Sequence, residues 1–191
     1  MKTLSVTEPY ATIIRNGTKK IETRSWKTNY RGDLLIHASS TRIPVAYREN
    51  RELMELVNED DLNFGKIVCR CKLVDCVRMD DDFIETVKKN RNEYISGFYS
   101  PGRYAWILDD ITPVESGKVK GKLGLWEYDF EKREMELASG MDEMISLGWT
   151  WETFDADFDG CESDSWSRDE KEVCRKVFKY LWEDRQEGEV K

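Results

Sequence analysis

The sequence predicts an α+β fold: a small β-barrel with helical insertions over residues 1–129, then an acidic, mainly helical extension over residues 130–191. Three observations carry that expectation. Up to Asp129 the chain shows five or six short strand-like runs with two or three helical patterns between them, spaced as in a closed sheet. After Phe130 the character changes: between Ala138 and Ser167 there are eight Asp or Glu and no Lys or Arg. Finally, 39% hydrophobic and 12% aromatic residues in 191 positions suffice for a buried core despite 36% charged residues, so full-length disorder is not expected.

Lys2 to Val6 alternates as a strand. Glu8-Pro9 then opens a helical pattern in which Tyr10, Ile13 and Ile14 share one face until Asn16-Gly17 stops it. Residues 19–26 alternate again, with Ile21 and Thr23 on one face and Lys20, Glu22, Arg24 and Trp26 on the other. A turn at Tyr30-Arg31-Gly32-Asp33 leads into Leu34–Ala38, a continuously apolar run suited to a buried strand. Residues 43–57 read as one helix, with Pro44 near its start and Val45, Leu53, Leu56 and Val57 turned to the core. Ile67–Met79 reads as a long core strand, and 80–95 as one helix whose three N-terminal aspartates suit the helix dipole. Tyr104–Leu108 and Gly121–Tyr128 complete the strands. In the extension, Ser167-Arg168-Asp169-Glu170 is a capping box for a helix to about Arg185. Its apolar face, Val173, Val177, Phe178 and Leu181, needs a surface to cover it, in this chain or in another.

No run approaches the roughly 18 to 20 uncharged apolar residues of a bilayer span, and no apolar signal core precedes Glu8, Arg15 and Lys19. The expectation is a soluble, cytoplasmic protein with no membrane partner. Five cysteines at irregular spacing (69, 71, 76, 161 and 174) fit reduced thiols rather than a disulfide framework. The net charge of −8 argues against a protein that coats a polyanion, but the charge is graded along the chain. Residues 1–50 carry nine Lys or Arg against four Asp or Glu; residues 130–191 carry nine against eighteen.

His37 is the single histidine, set between Ile36 and Ala38, which fits a hydrogen-bonded histidine at a barrel rim better than a general base. With no second histidine, and with Cys69, Cys71 and Cys76 at strand rather than knuckle spacing, neither a zinc site nor a cofactor is expected. Asp155, Asp157 and Asp159, followed by Gly160, match the first half of a calcium loop. Trp166 stands where that loop places its bidentate glutamate, which favours a solvated acidic loop or a surface that mimics nucleic acid.

The segment Gly17-Thr18-Lys19-Lys20-Ile21-Glu22-Thr23-Arg24 carries the densest chemistry. Gly17 permits the turn from helix to strand and the close approach of a ligand. Lys19 is a flexible point charge for phosphate or carboxylate, and Arg24 a planar fork that grips phosphate and stacks on bases. Glu22 and Arg24 share a strand face about 7 Å apart, so Glu22 either orients Arg24 or accepts from a base, unless the two form only a surface ion pair. Arg31 adds a further phosphate contact, and Trp26, Tyr30 and Trp106 are candidate stacking platforms.

The same segment spells G-x-K-x-x-E-x-R. With Leu4-Ser5-Val6-Thr7-Glu8-Pro9-Tyr10-Ala11 before it, Arg24–Ser39 after it, and Gly65–Val68, Leu73–Cys76, Gly102–Trp106 and Val119–Trp126 beyond, residues 1–129 resemble the ASCH domain family, the activating-signal-cointegrator homology domains of the PUA-like superfamily. The resemblance implies a PUA-like β-barrel with a short helix after its first strand and a cleft lined by this motif. It implies that RNA, another nucleic acid or a nucleotide-like ligand is bound; taken with the reading of the residues themselves, the candidate ligand-binding residues are Gly17, Lys19, Glu22, Arg24, Trp26, Tyr30, Arg31 and Trp106. Small bacterial proteins of this fold are amidohydrolases that deacetylate acetylated cytidine, and Lys19 falls on their lysine position. Under that alternative Lys19 and Glu22 are the catalytic residues, acting on a modified nucleoside. Glu22 stands where their motif has threonine, and its charge is expected to keep Lys19 protonated. A third expectation is a protein partner for the acidic tail.

Overall fold

The computed structural model describes residues 1–158 and 168–189, parts of 130–158 and 168–189 by backbone alone. Alternating and apolar runs become six strands: β1 (Lys2–Val6), β2 (Ile21–Arg24), β3 (Gly32–Ala38), β4 (Ile67–Arg78), β5 (Tyr104–Pro113) and β6 (Leu125–Glu127). They form one sheet in the order β2-β5-β4-β3-β1-β6, antiparallel except for the β1–β3 pair. The ladder does not close. β2 and β6 remain edges, so the expected closed barrel is instead a curled half-barrel sheet. Register shifts at Ile36/His37, Arg70/Lys72 and Leu73/Asp75 mark irregularities of the kind that bend strands. Across the gap a side chain does what a ladder would do in a barrel: Arg24 on β2 donates through Nη2 to the Ser5 carbonyl of β1 at 2.8 Å.

The core of this sheet joins Leu4 and Val6 of β1 to Leu34, Ile36 and Ala38 of β3, Cys69, Cys71 and Leu73 of β4, and Trp106 and Leu108 of β5. Helix α1 (Tyr10–Arg15) buries Ala11 and Ile14 in the same cluster. Its start is held by Glu8, whose buried carboxylate accepts from the Thr12 amide and hydroxyl and from the Asn63 amide at 2.8–3.0 Å. His37 is the rim histidine the sequence suggests: it is buried, with Nε2 2.9 Å from the Val119 carbonyl and Nδ1 3.2 Å from Ser5 Oγ.

Two expected long helices are each broken by a capping asparagine. In place of one helix over 43–57 there are α2 (Val45–Arg48) and α3 (Arg51–Met54), because the Asn50 side chain accepts from the Leu53 amide and starts a new helix. Val45 is exposed, and only Leu53 of the two helices is buried. In place of one helix over 80–95 there are α4 (Asp81–Lys88), capped by Asp80, and α5 (Arg91–Ile95), capped by Asn90.

Residues 116–118 and 128–191 form a second unit, separate from residues 1–115 and 119–127. It contains α6 (Phe130–Ser146), α7 (Trp151–Phe158) and α8 (Arg168–Glu189). These helices have their own core of Met141, Ile145, Phe154, Cys174 and Phe178, with the Phe154 and Phe178 rings stacked at 4.0 Å. The apolar face of α8 is therefore centred on Cys174 and Phe178, and α6 and α7 cover it. Asp155 and Asp157 lie within α7 rather than in a loop. Asp155 instead pairs with Arg175 at 2.8 Å. Asp159, Cys161 and the capping Ser167 lie outside the described residues. Cys69, Cys71, Cys76 and Cys174 are buried free thiols. Among the described residues no helix is long and apolar enough to cross a membrane, and no group of His, Cys, Asp and Glu is arranged to hold a metal.

Candidate functional site

The site is built on the edge strand β2. Gly17, at φ +76°, turns the chain out of α1, and the Lys19 amide is tied back to the Ile13 carbonyl at 3.2 Å. The next two amides find a side chain: Lys20 N–H and Ile21 N–H donate to the buried carboxylate of Glu93 on α5, at 2.7 and 3.2 Å. Tyr99 Oη donates to the same carboxylate at 2.7 Å. β2 then pairs with β5 alone, Glu22 opposite Trp106 and Arg24 opposite Tyr104.

This anchoring sends the Lys19 side chain inward, where only 1% of its surface is exposed. Its Nζ donates to the Ile21 carbonyl, lies 3.6 Å from Glu22 Oε2, and sits 5.8 Å from the centre of the Tyr10 ring. Burial pushes the Lys19 amine below its ordinary value, and the carboxylates of Glu22 and Glu93 oppose that shift without overcoming it. Glu22 acts on Lys19 as expected, favouring the charged form, but desolvation is the larger effect and the net shift is downward. Glu22 Oε1 lies 3.0 Å from Arg24 Nε, at an angle that leaves this buried nitrogen without a hydrogen bond.

Around these charges lies a cleft of about 230 Å³. Val6 and Thr7 follow β1 along it, and Lys19, Glu22, Thr23 and Arg24 come from β2 and the turn before it. One wall is aromatic, Tyr10 of α1 and Tyr47 of α2 meeting edge to face at 5.3 Å. Burial, with Tyr47 and Glu22 nearby, pushes the Tyr10 phenol up to about 12, so it stays a hydrogen-bond donor. The opposite wall is the segment Ser96-Gly97-Phe98 with Arg103. Thr23 Oγ1 accepts from the Phe98 amide at 3.0 Å and pins this wall to β2. Gly97 is required by close approach, since a Cβ there would lie 2.5 Å from the Tyr99 ring. The Arg103 guanidinium sits 4.7 Å from the Phe98 ring centre, and its Nε is buried without a hydrogen-bond partner.

Of the residues singled out in the sequence, Lys19, Glu22 and Arg24 line the cleft together. Gly17 shapes the turn without lining it. Trp106 is wholly buried, its Nε1 donating to the Trp26 carbonyl, so neither of its faces is open to a base. Trp26 packs edge-on against that ring at 4.6 Å, away from the cleft lining. Tyr30 donates its hydroxyl to the Asp33 carbonyl, and Arg31 pairs with Asp75 at 2.8 Å; both stand apart from the cleft. The sequence reading missed Tyr47, Phe98, Arg103 and Glu93. A Gly-Phe pair just before Tyr99 was the one available signal for the far wall, and it belongs to no helical or strand period.

Glu93→Ala removes the acceptor for two amides and a phenol, a loss of about 1 to 3 kcal/mol for each buried donor left unmet. Amide hydrogen exchange at Lys20 and Ile21 is expected to accelerate at least tenfold, with Glu93→Gln intermediate because it keeps one oxygen; unchanged exchange at both amides would refute the anchor. The Lys19 amine titrates below its ordinary 10.5 in the folded protein. Between the folded value and 10.5 the unfolded chain holds more protons, so the contribution of Lys19 to stability rises with pH across that window. In urea unfolding, the wild type is therefore expected to gain on Lys19→Met as pH is raised from neutrality toward 10.5; a gap that is constant, or moves the other way, contradicts the burial of the amine.

The ASCH domain family model matches residues 4–142, running past the boundary at 129 into α6. No curated protein matches the chain. Among solved structures, an ASCH protein from Zymomonas mobilis is 16% identical, covering 72% of this chain and 93% of that one with a TM-score of 0.45. A tyrosine-to-phenylalanine mutant of the Zymomonas mobilis protein is 13% identical, covering 72% and 96% with a TM-score of 0.44. The family match spans well over half of the sequence, and the chain belongs to the ASCH domain family.

Proposed function

We propose that this ASCH protein binds RNA as a single strand and holds one unpaired nucleotide in the cleft between Tyr10 and Phe98. The observation that carries the reading is the charge arrangement: Lys19, Arg24 and Arg103 line the cleft against one carboxylate, Glu22. Two of these cations, Arg24 and Arg103, have a buried Nε with no hydrogen-bond partner. A quarter of the Arg24 side chain is exposed, and a guanidinium that reaches a ligand phosphate binds it with charge-assisted bonds. The volume is below the roughly 300 to 1,000 Å³ of pockets for drug-sized ligands, which suits one nucleotide rather than a folded segment. Single-stranded RNA exposes bases to aromatic walls and their edges to polar groups, and a carboxylate beside an ammonium offers an acceptor and a donor to adjacent atoms of one base edge.

Fluorescence anisotropy with short single-stranded RNAs tests this. Arg24→Lys and Lys19→Met are each expected to weaken binding about tenfold, and a lost phosphate contact lowers the salt slope by about 0.7. Thermal unfolding of the same variants separates lost binding from lost fold. If both variants bind as tightly as the wild type, the cleft is not the RNA site.

A second reading, hydrolysis of an acylated nucleoside, is favoured by one observation: the Lys19 amine is buried at the cleft with its pKa pushed down. A neutral amine has the lone pair that a nucleophile or base requires. Incubation with acetylcytidine is then expected to release acetate, and Lys19→Met to abolish the release; no acetate from the wild type removes this reading.

A further inference from the structure

One wall of the cleft carries a feature that reaches beyond a single enclosed nucleotide. Phe98 is 65% exposed, a large aromatic ring held open to solvent. It is not loosely placed: its amide is bonded to Thr23 Oγ1, and the preceding Gly97 is packed under the Tyr99 ring. The guanidinium of Arg103 covers one side of the ring at 4.7 Å, in cation–π geometry. Arg103 makes no ion pair among the described residues; its Nη2 reaches the Thr23 carbonyl only at 3.5 Å, and its Nε has no partner. A fixed, exposed aromatic ring beside an uncommitted guanidinium is the combination that single-stranded nucleic acid uses: a base stacks on the ring while the phosphate meets the cation.

From this geometry we propose that Phe98 and Arg103 form a second nucleotide subsite at the cleft rim, which takes the base and phosphate of the residue adjoining the one inside. The inference rests on the reading of the cleft as a nucleotide site and narrows it: the ligand is a strand of at least two unpaired nucleotides, not a free nucleoside or mononucleotide. Thr23 places the two subsites side by side, since it lines the cleft and bonds to the Phe98 amide.

The test compares a mononucleotide with a single-stranded RNA trinucleotide on the full chain, by calorimetry or competition anisotropy. The wild type is expected to bind the trinucleotide more tightly. Phe98→Ala is expected to weaken the trinucleotide about tenfold more than the mononucleotide, and Phe98→Trp to restore trinucleotide binding. Arg103→Met is expected to lower trinucleotide affinity and its salt slope together. Glu22→Gln serves as the cleft control and weakens both ligands. If Phe98→Ala changes neither ligand, or weakens both equally, while Glu22→Gln weakens both, the rim subsite is wrong and the cleft reading stands. If the wild type binds neither ligand, the cleft reading itself fails and the subsite with it.

Discussion

One buried carboxylate fixes the geometry on which the candidate site depends. β2 has a ladder partner on one side only, and its first amides lie where the strand leaves the α1 turn. Glu93 supplies their acceptor and takes the Tyr99 hydroxyl as well, so three donors from two parts of the chain converge on it. With Ile21 held, its carbonyl is positioned to receive the Lys19 ammonium, and Lys19 in turn stands beside Glu22. Glu22 approaches Arg24, and Arg24 reaches across the open side of the sheet to Ser5. The half-barrel and the cleft are thus held by one continuous chain of polar contacts rather than by ladder closure.

That chain is a weak device for stability. Taking a lysine out of water costs several kcal/mol even after relaxation, and a buried ion pair is often matched or bettered by apolar residues of the same volume. Lys19 keeps a carbonyl, a carboxylate and an aromatic face, yet desolvation still dominates its titration. Arg24 and Arg103 add buried nitrogens with no hydrogen-bond partner. The buried Glu8 and His37, by contrast, are met by bonds of 2.8–3.2 Å.

The legible part of the site was the part written in local spacing. Lys19, Glu22 and Arg24 fall within six consecutive residues, and a glycine-led turn into an alternating strand keeps them close together. Trp106 was misread because an aromatic residue on a strand reads alike whether it faces a ligand or a core; only the register opposite Glu22 and complete burial separate the two. Tyr47, Phe98 and Arg103 reach the cleft through tertiary placement of α2 and of the α5–β5 connection, for which residue spacing holds no information. The strands were likewise legible from alternation, whereas barrel closure was not. Whether an edge finds its partner depends on bulges and on one long side chain, neither of which is a periodic signal. The two broken helices failed for a related reason: an asparagine cap overrides an apolar period too thin to hold a long helix.

Net charge also changes meaning once the fold is known. A total of −8 disfavours a protein that coats a long polyanion. Charges beyond the Debye length, about 8 Å at physiological ionic strength, are largely screened, while charges within a partly buried cleft are not. The acidic stretch from Ala138 onward belongs to a separate unit with a core of its own, whereas Lys19, Arg24 and Arg103 line a single cleft in the first unit. On the proposed reading, a ligand of two or three nucleotides would meet those three cations and Glu22 at contact distance. The same balance would resist sliding along an extended nucleic acid, because nonspecific attraction scales with the number of phosphates neutralised. On the proposed reading, three cations against one carboxylate in an acidic chain suit a short unpaired segment better than a long nucleic acid.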